Sequence, residues 1–482
     1  MDTVAEWTSS SWILIAAMII GFLLFYQHIT HTNNGRLNLP PGNLGLPVIG
    51  ETLQFYRSQK SNRLFEDFFG KRTHKYGSVY KTGLMGSPTV IFTGAAGNRF
   101  LLSNEFKLVT SSWPQSTINL IGTGSIMEKQ GAEHKRLRGA VMACFRADVL
   151  QSFVGKLSNV IEYHFERHWK GNRVVRVYPL TKLLTFTSVC SLFLGLEDEG
   201  EIEYFLKLFQ MVLLGVLSLP VDFPGSRCRR AKRARREIDE FLSALIDRRR
   251  RDLAEGRAGG EQDLFSRLLT LNDEDGNRLG DKEVMDNIVL FMFAAHDTTS
   301  LVITMMCKFL CQHKDCYHEI CQEHKQILES KEPGEKLNWE DAKNMTYTWR
   351  AAQETMRLLP PIFGSFKKAI VDFEYEGYTI PKGWKVLWTA STHYDPNFFE
   401  EPQKFKPSRF QDTIPPYVFV PFGGGVRLCA GLEFAKLQIT VFMHHLVTQY
   451  DWSLVDPAEG IQMDPLPSPT KGMPVRLVKK SY

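Results

Sequence analysis

Apolar positions along this chain recur with different periods in different stretches, and each period predicts a different element. Trp12 to Tyr26 is almost wholly apolar. With Ser10, Ser11 and Ile29 at its flanks it approaches the ~20 residues that span a bilayer. The spacing predicts one N-terminal transmembrane helix within residues 1–30. A cleaved signal peptide needs a positive n-region and a small-residue cleavage site, whereas Asp2 and Glu6 stand on the leading flank. Arg36, Arg57, Lys60 and Arg63 follow the segment, a bias that places the C-terminal side in the cytosol. Leu39 to Pro47 contains adjacent prolines, which hold the chain stiff and extended. Residues 31–47 read as a linker and proline-rich hinge, and residues 48–482 as the globular body.

Within that body, Val79 to Thr82 and Thr89 to Phe92, with Met85 to Pro88 between them, predict a β-hairpin. From 130 to 330 long stretches carry helical spacing. Strand signals return over 366–393, as at Lys385 to Trp388, and Leu432 to Leu446 reads as an amphipathic helix. No repeat of ~34 or ~40 residues is visible. The fold class is mainly α with a smaller β region, an α+β chain. One helix, beginning near Lys282, is apolar except for a polar interruption, Ala294-Ala-His-Asp-Thr-Thr299. A mid-helix threonine there can bond back to the preceding turn and bend the helix.

Composition changes this picture little. The 482 residues are 43% hydrophobic and 23% charged, an ordinary balance that allows a sizeable core. The net charge of +5 is mild. With no zinc-finger spacing and no RNA-binding signature, it gives no reason to invoke nucleic acid. Eight cysteines without a Cys-x-x-Cys pair read as scattered thiols of a reducing compartment. The basic runs Arg227–Arg236 and Arg248–Arg251 read either as a solvated helix face or as a contact with an anionic membrane leaflet.

The most specific chemistry lies in Phe422-Gly-Gly-Gly-Val-Arg-Leu-Cys-Ala-Gly431. A cysteine in a glycine-rich loop at a helix start can be held as a thiolate by backbone N–H groups. The glycines permit tight turning close to a flat ligand. Arg427 offers a planar fork of donors for a carboxylate. Such a thiolate bound to haem iron would favour O–O cleavage.

Phe422, Gly425, Arg427, Cys429 and Gly431 complete the pattern Phe-x-x-Gly-x-Arg-x-Cys-x-Gly, which resembles the cysteine loop of the cytochrome P450 family. The resemblance extends along the chain. Ala294, Ala295, Asp297 and Thr298 resemble the family's oxygen-binding helix, with Ala295 where glycine is usual, and Asp297 and Thr298 match its proton-relaying acid–alcohol pair. Glu354 and Arg357, with Arg409 as third partner, resemble its structural ion pair. His134 and Arg138, four apart, match positions that face haem propionates, with histidine where tryptophan is common. Lys367 stands where another propionate-binding arginine is frequent.

The resemblance implies the cytochrome P450 fold, with residues 48–482 forming a haem-thiolate monooxygenase domain. It implies heme b bound through Cys429, O2 and a lipophilic substrate, and electrons from NADPH through a cytochrome P450 reductase. Lys135, Arg136 and Lys436 are expected to attract that reductase. The chain is anchored in the endoplasmic reticulum membrane in this reading, with its catalytic domain in the cytosol and membrane lipid as a further partner. Pro421 to Gly425, Asp372 to Pro381 and Thr348 to Glu354 are most similar to plant terpenoid oxidases, among them triterpenoid oxidases and taxane hydroxylases. Two rivals keep the haem: a hydroperoxide-rearranging enzyme and a non-catalytic sensor or carrier. Thr298 and the intact cysteine loop argue against the first. The second predicts no need for Asp297 or Thr298.

Overall fold

The computed structural model describes residues 37–216, 222–260, 262–272, 276–332, 334–463 and 466–480. The expected anchor over residues 1–30 lies outside the described residues, as does the hinge up to Arg36. The chain divides into two compact units.

The first unit comprises the described residues up to Gln59, with Arg63–Ser112 and Ser365–Thr389. Its frame is a six-stranded sheet of β1 (Gly42–Asn43), β2 (Val79–Leu84), β3 (Ser87–Phe92), β4 (Val109–Ser111), β5 (Gly364–Ala369) and β6 (Lys385–Thr389). The strand order is β1-β2-β3-β6-β5-β4. The β2–β3 hairpin is the predicted one, but its strands run further than the alternation suggested, pairing Leu84 with Ser87. The turn shrinks to Met85 and Gly86, both at positive φ (52° and 74°). Two such residues match the right-handed twist of the strands, a conformation that methionine rarely signals. Part of the expected hinge is stitched to this sheet. Gly42 and Asn43 pair in parallel with Lys81 and Thr82, and the Lys81 ammonium donates to the Pro40 carbonyl at 2.8 Å.

The second unit, Lys60–Asn62, Trp113–Gly364 and Ala390–Tyr482, is built from helices. Those that concern us are α1 (Gln115–Ile121), α2 (Gly131–Cys144), α3 (Ala147–His168), α4 (Val177–Val189), α5 (Glu199–Val216), α6 (Arg227–Ala254), α7 (Asp281–Gln312), α8 (Lys314–Glu329), α9 (Thr346–Leu358) and α10 (Leu432–Gln449). At 32 residues, α7 is about 48 Å long. It packs against α4, α9 and α10. Helix α10 departs from expectation. Leu437 to Val447 is buried without a break, so the helix is enclosed on all sides rather than amphipathic.

Several polar groups inside this core are paired, as burial favours. On α9, Glu354 and Arg357 are fully buried and joined by two bonds of 2.7 and 2.8 Å. The same carboxylate accepts from Arg409 at 3.3 Å and from the Lys406 N–H at 2.8 Å. The Arg357 guanidinium goes on to the carbonyls of His393 and Pro402, each at 2.8 Å. His393 in turn accepts the Val420 N–H at 3.1 Å, just ahead of the glycine-rich loop. A second set joins three helices: His324 meets His444 at 3.1 Å and Thr348 at 2.9 Å. His445 meets Ser158 of α3 at 2.8 Å.

Removing one partner of a buried ion pair strands the other charge, which costs about 3–5 kcal/mol. Glu354→Ala is therefore expected to lower unfolding free energy by about that amount in urea titration. A loss below about 1 kcal/mol would mean that Arg357 is held by its carbonyl partners alone. Burial holds the buried imidazoles neutral, pushing His164, His393 and His445 down to about 3 and His296 and His444 to about 4. The unfolded chain takes up these protons near pH 6.5. Stability is thus expected to fall as pH drops from about 6.5 toward 4, by about 1.4 kcal/mol per pH unit for each such group. Unfolding midpoints measured across that window check it, and a flat profile would contradict it.

Candidate functional site

The glycine-rich loop turns where its glycines sit. Gly423 and Gly425 adopt φ of 71° and 66°, a region side chains disfavour. The Cys429 N–H then closes the loop on the Phe422 carbonyl at 3.0 Å, and Gly431 caps α10. Cys429 is exposed, yet enough protein surrounds it for burial to raise its thiol pKa above the ordinary value. A sulfur that is both accessible and enclosed faces open space within the fold. The Gly431 N–H and the positive charge of Arg138 pull the other way and favour the thiolate. Burial lowers the Arg138 pKa, and the neighbouring Cys429 works against that. Helix α2 thus brings Arg138 into electrostatic reach of the sulfur, and on the same helix His134 is buried.

Arg427 does something that its spacing did not foretell. Its guanidinium donates to the carbonyls of Ile126 and Met127, both at 3.2 Å, and of Lys129 at 2.8 Å. It therefore ties the cysteine loop to the segment leading into α2. Phe422 stacks on Trp349 of α9 with ring centres 6.4 Å apart, and the Lys436 ammonium lies over the same indole.

On α7, Ala294 is exposed although its neighbours Phe291, Met292 and His296 are buried, so the helix opens to space at that point, with Ala295 half-buried beside it. The Thr298 hydroxyl donates to the Ala294 carbonyl at 2.7 Å, as its position predicts. The helix nevertheless stays α-helical throughout, so this hydrogen bond forms without interrupting the turn. Asp297 forms an ion pair with Lys182 of α4 at 2.7 Å and lies 3.2 Å from His296. His296 stands edge-on to Phe186, and Thr185 bonds its carbonyl at 3.0 Å. Lys182 was not singled out from sequence. Its signal was that of a single cation in the apolar stretch from Val177 to Leu194, a charge that needs a buried partner.

Lys367 belongs to the first unit. There its ammonium is held by Glu105, with both side chains buried. Among apolar residues of the second unit, Leu120 and Ile121 are core. Trp113, Leu214 and Ile362 expose their side chains, and Leu217 lies outside the described residues.

Residues 40–474 match the family model for Cytochrome P450. The chain belongs to the cytochrome P450 family. It is 43% identical over 473 residues to the taxane 10-beta-hydroxylase of Taxus cuspidata, covering 97% of this chain and 94% of that protein. It is 42% identical to a beta-amyrin 28-monooxygenase of Medicago truncatula, covering 97% and 98%. Its fold is similar to that of the retinoic acid-bound cyanobacterial CYP120A1, with a TM-score of 0.82 and 31% identity over 92% of this chain and all of that one. The expected mixed α+β fold is the P450 fold, and the chain is a P450 monooxygenase related to plant terpenoid hydroxylases. Its family and fold imply a haem-thiolate iron cofactor, O2, a lipophilic substrate and a redox partner. The residues present fit that cofactor: an accessible sulfur, a glycine loop at a helix start, a cation within reach of the sulfur, and an open alanine step on α7.

Proposed function

We propose that this P450 hydroxylates a di- or triterpenoid, drawing electrons from NADPH through a cytochrome P450 reductase. It sits in the endoplasmic reticulum membrane, anchored by residues 1–30, with residues 48–482 as its catalytic domain in the cytosol. The observation that carries the chemical part is Cys429, a sulfur facing open space with a backbone N–H and Arg138 favouring its anion. The substrate class rests on near full-length similarity to taxane and beta-amyrin oxidising enzymes.

Cys429 is the residue that would hold the iron, with Phe422, Gly425 and Gly431 shaping its loop. Bound there, the haem supplies the oxygen-activating chemistry. His134, Arg138 and Arg427 are the propionate partners that this chain offers. Lys367 already has its charge balanced by Glu105, so it contributes less to that set. Ala294 and Ala295 leave room beside α7 for O2. Asp297, fixed by Lys182, and Thr298, whose oxygen keeps acceptor capacity while its proton is engaged, move protons into that space. One oxygen atom enters a C–H bond, and the other leaves as water with two protons and two electrons. Reductase docking rests on Lys135, which is exposed, and Lys436. Arg136 is already paired with Glu283.

The reduced, carbon-monoxide-bound difference spectrum of the full chain is expected to show the red-shifted Soret band of thiolate ligation, lost in Cys429→Ser. A band unchanged by that substitution would remove Cys429 from the iron. With reductase and a terpenoid substrate, Thr298→Ala is expected to cut product formed per NADPH consumed by about tenfold or more, with the spectrum intact. Undiminished coupling would take Thr298 out of proton delivery.

A further inference from the structure

The basic run on α6 does not spread its charge evenly. An open cleft of about 870 Å³ is lined by Asn119, Gly122 and Thr123 at the end of α1, by Asp222, by one face of α6 that includes Asp239, and by Lys282 at the start of α7. Arg229, Lys232 and Arg236 stand at i, i+3 and i+7 on α6, which places them on one stripe. Arg235 also lines the cleft.

These cations are not equally committed. Arg235 is buried and holds Asp286, and it pairs with Asp239 at 2.9 Å. Lys282 reaches the same buried Asp286 at 3.1 Å. Lys232 pairs with Asp222 at 2.8 Å. Arg229 and Arg236 are exposed and meet no carboxylate at ion-pair distance among the described residues, although Asp222 lies within electrostatic reach of both. Two positive charges are left over once Asp222, Asp239 and Asp286 are counted, and both sit on guanidinium groups facing one concavity. Asn119 accepts from Gln115 at 3.0 Å through its amide oxygen, which leaves its NH2 group as a donor at the cleft wall.

We propose that this cleft binds a phosphate group carrying about two negative charges, with Arg229 and Arg236 as its two forks and Lys232 and Asn119 as further donors. A solvated face would spread like charges apart and pair them with carboxylates along the helix, as Arg233 does with Glu237. Here two arginines without a carboxylate at ion-pair distance share one hollow. Planar guanidinium forks match phosphate oxygens two at a time. The source can be a soluble phosphate or a phospholipid headgroup. The exposed Phe223, next to the cleft's Asp222 in sequence, favours the lipid, since its acyl chains would meet an apolar side chain there. The site is separate from the oxygen chemistry and does not depend on the substrate assigned above.

The test is calorimetric titration of the full chain in detergent micelles with sodium pyrophosphate and with dihexanoyl phosphatidic acid, taking dihexanoyl phosphatidylcholine as control. Saturable binding of phosphatidic acid is expected, weakened at least about tenfold in the double variant R229Q/R236Q. It should change by no more than about twofold in R230Q/R233Q, which removes the same charge from residues that do not line the cleft. All four are exposed positions of one helix, so misfolding would show equally in both variants. Pyrophosphate binding as tight as phosphatidic acid, with the same sensitivity to the variants, would support the site with a soluble phosphate as its source. Binding of phosphatidic acid alone would support the headgroup. No saturable binding of either, or equal losses in both double variants, would overturn the site.

Discussion

A single carboxylate, that of Glu354, sets conditions that much of the second unit must meet. Fully buried, it cannot stay ionised without donors, and it takes them from Arg357, Arg409 and the Lys406 backbone. Arg357 then has spare N–H groups that must also be met, and these fix the carbonyls of His393 and Pro402. His393 hands the constraint to Val420, whose carbonyl accepts the Gly423 N–H. From there the loop closes through Phe422 onto Cys429. The position of the sulfur is therefore set by a run of obligatory hydrogen bonds that starts on another helix. Each is there because an unmet polar group in that interior is costly.

Much of this was legible because it is local. A glutamate and an arginine three apart must share a helix face. Glycines around a cysteine announce a turn, and a threonine inside an apolar helix has only the preceding turn to bond. The hairpin followed from alternation. What stayed hidden depends on partners distant in sequence or on acceptors that sequence does not display. Lys182 finds Asp297 from 115 positions away. Arg427 bonds carbonyls, which every residue has, so nothing in the sequence marks Ile126, Met127 and Lys129 as its acceptors. Helix α10 shows the same limit in another form. The sequence reads as amphipathic, but Thr440, His444 and His445 are buried and bonded internally, so these three mark buried pairing rather than solvent.

The interface between α4 and α7 extends that point. Thr181 meets Thr304 at 2.9 Å, and Thr185 meets the His296 carbonyl at 3.0 Å. With Lys182 and Asp297 between them, two otherwise apolar helices are joined by a polar seam. Such a seam adds little net stability, since each group leaves water to form it. It does fix the register of the helices, because sliding by a residue would leave every one of these groups unmet. The acid and alcohol of α7 owe their placement to that register as much as to their own helix.

The three bonds from Arg427 to residues 126–129 carry a mechanical consequence. The loop holding Cys429 and the lead-in to α2, which carries His134 and Arg138, are clamped into one piece. Neither can swing away without breaking a guanidinium from three acceptors at once. Whatever motion lets a lipophilic substrate in and its product out is expected in other segments, with the cysteine loop held as a fixed point.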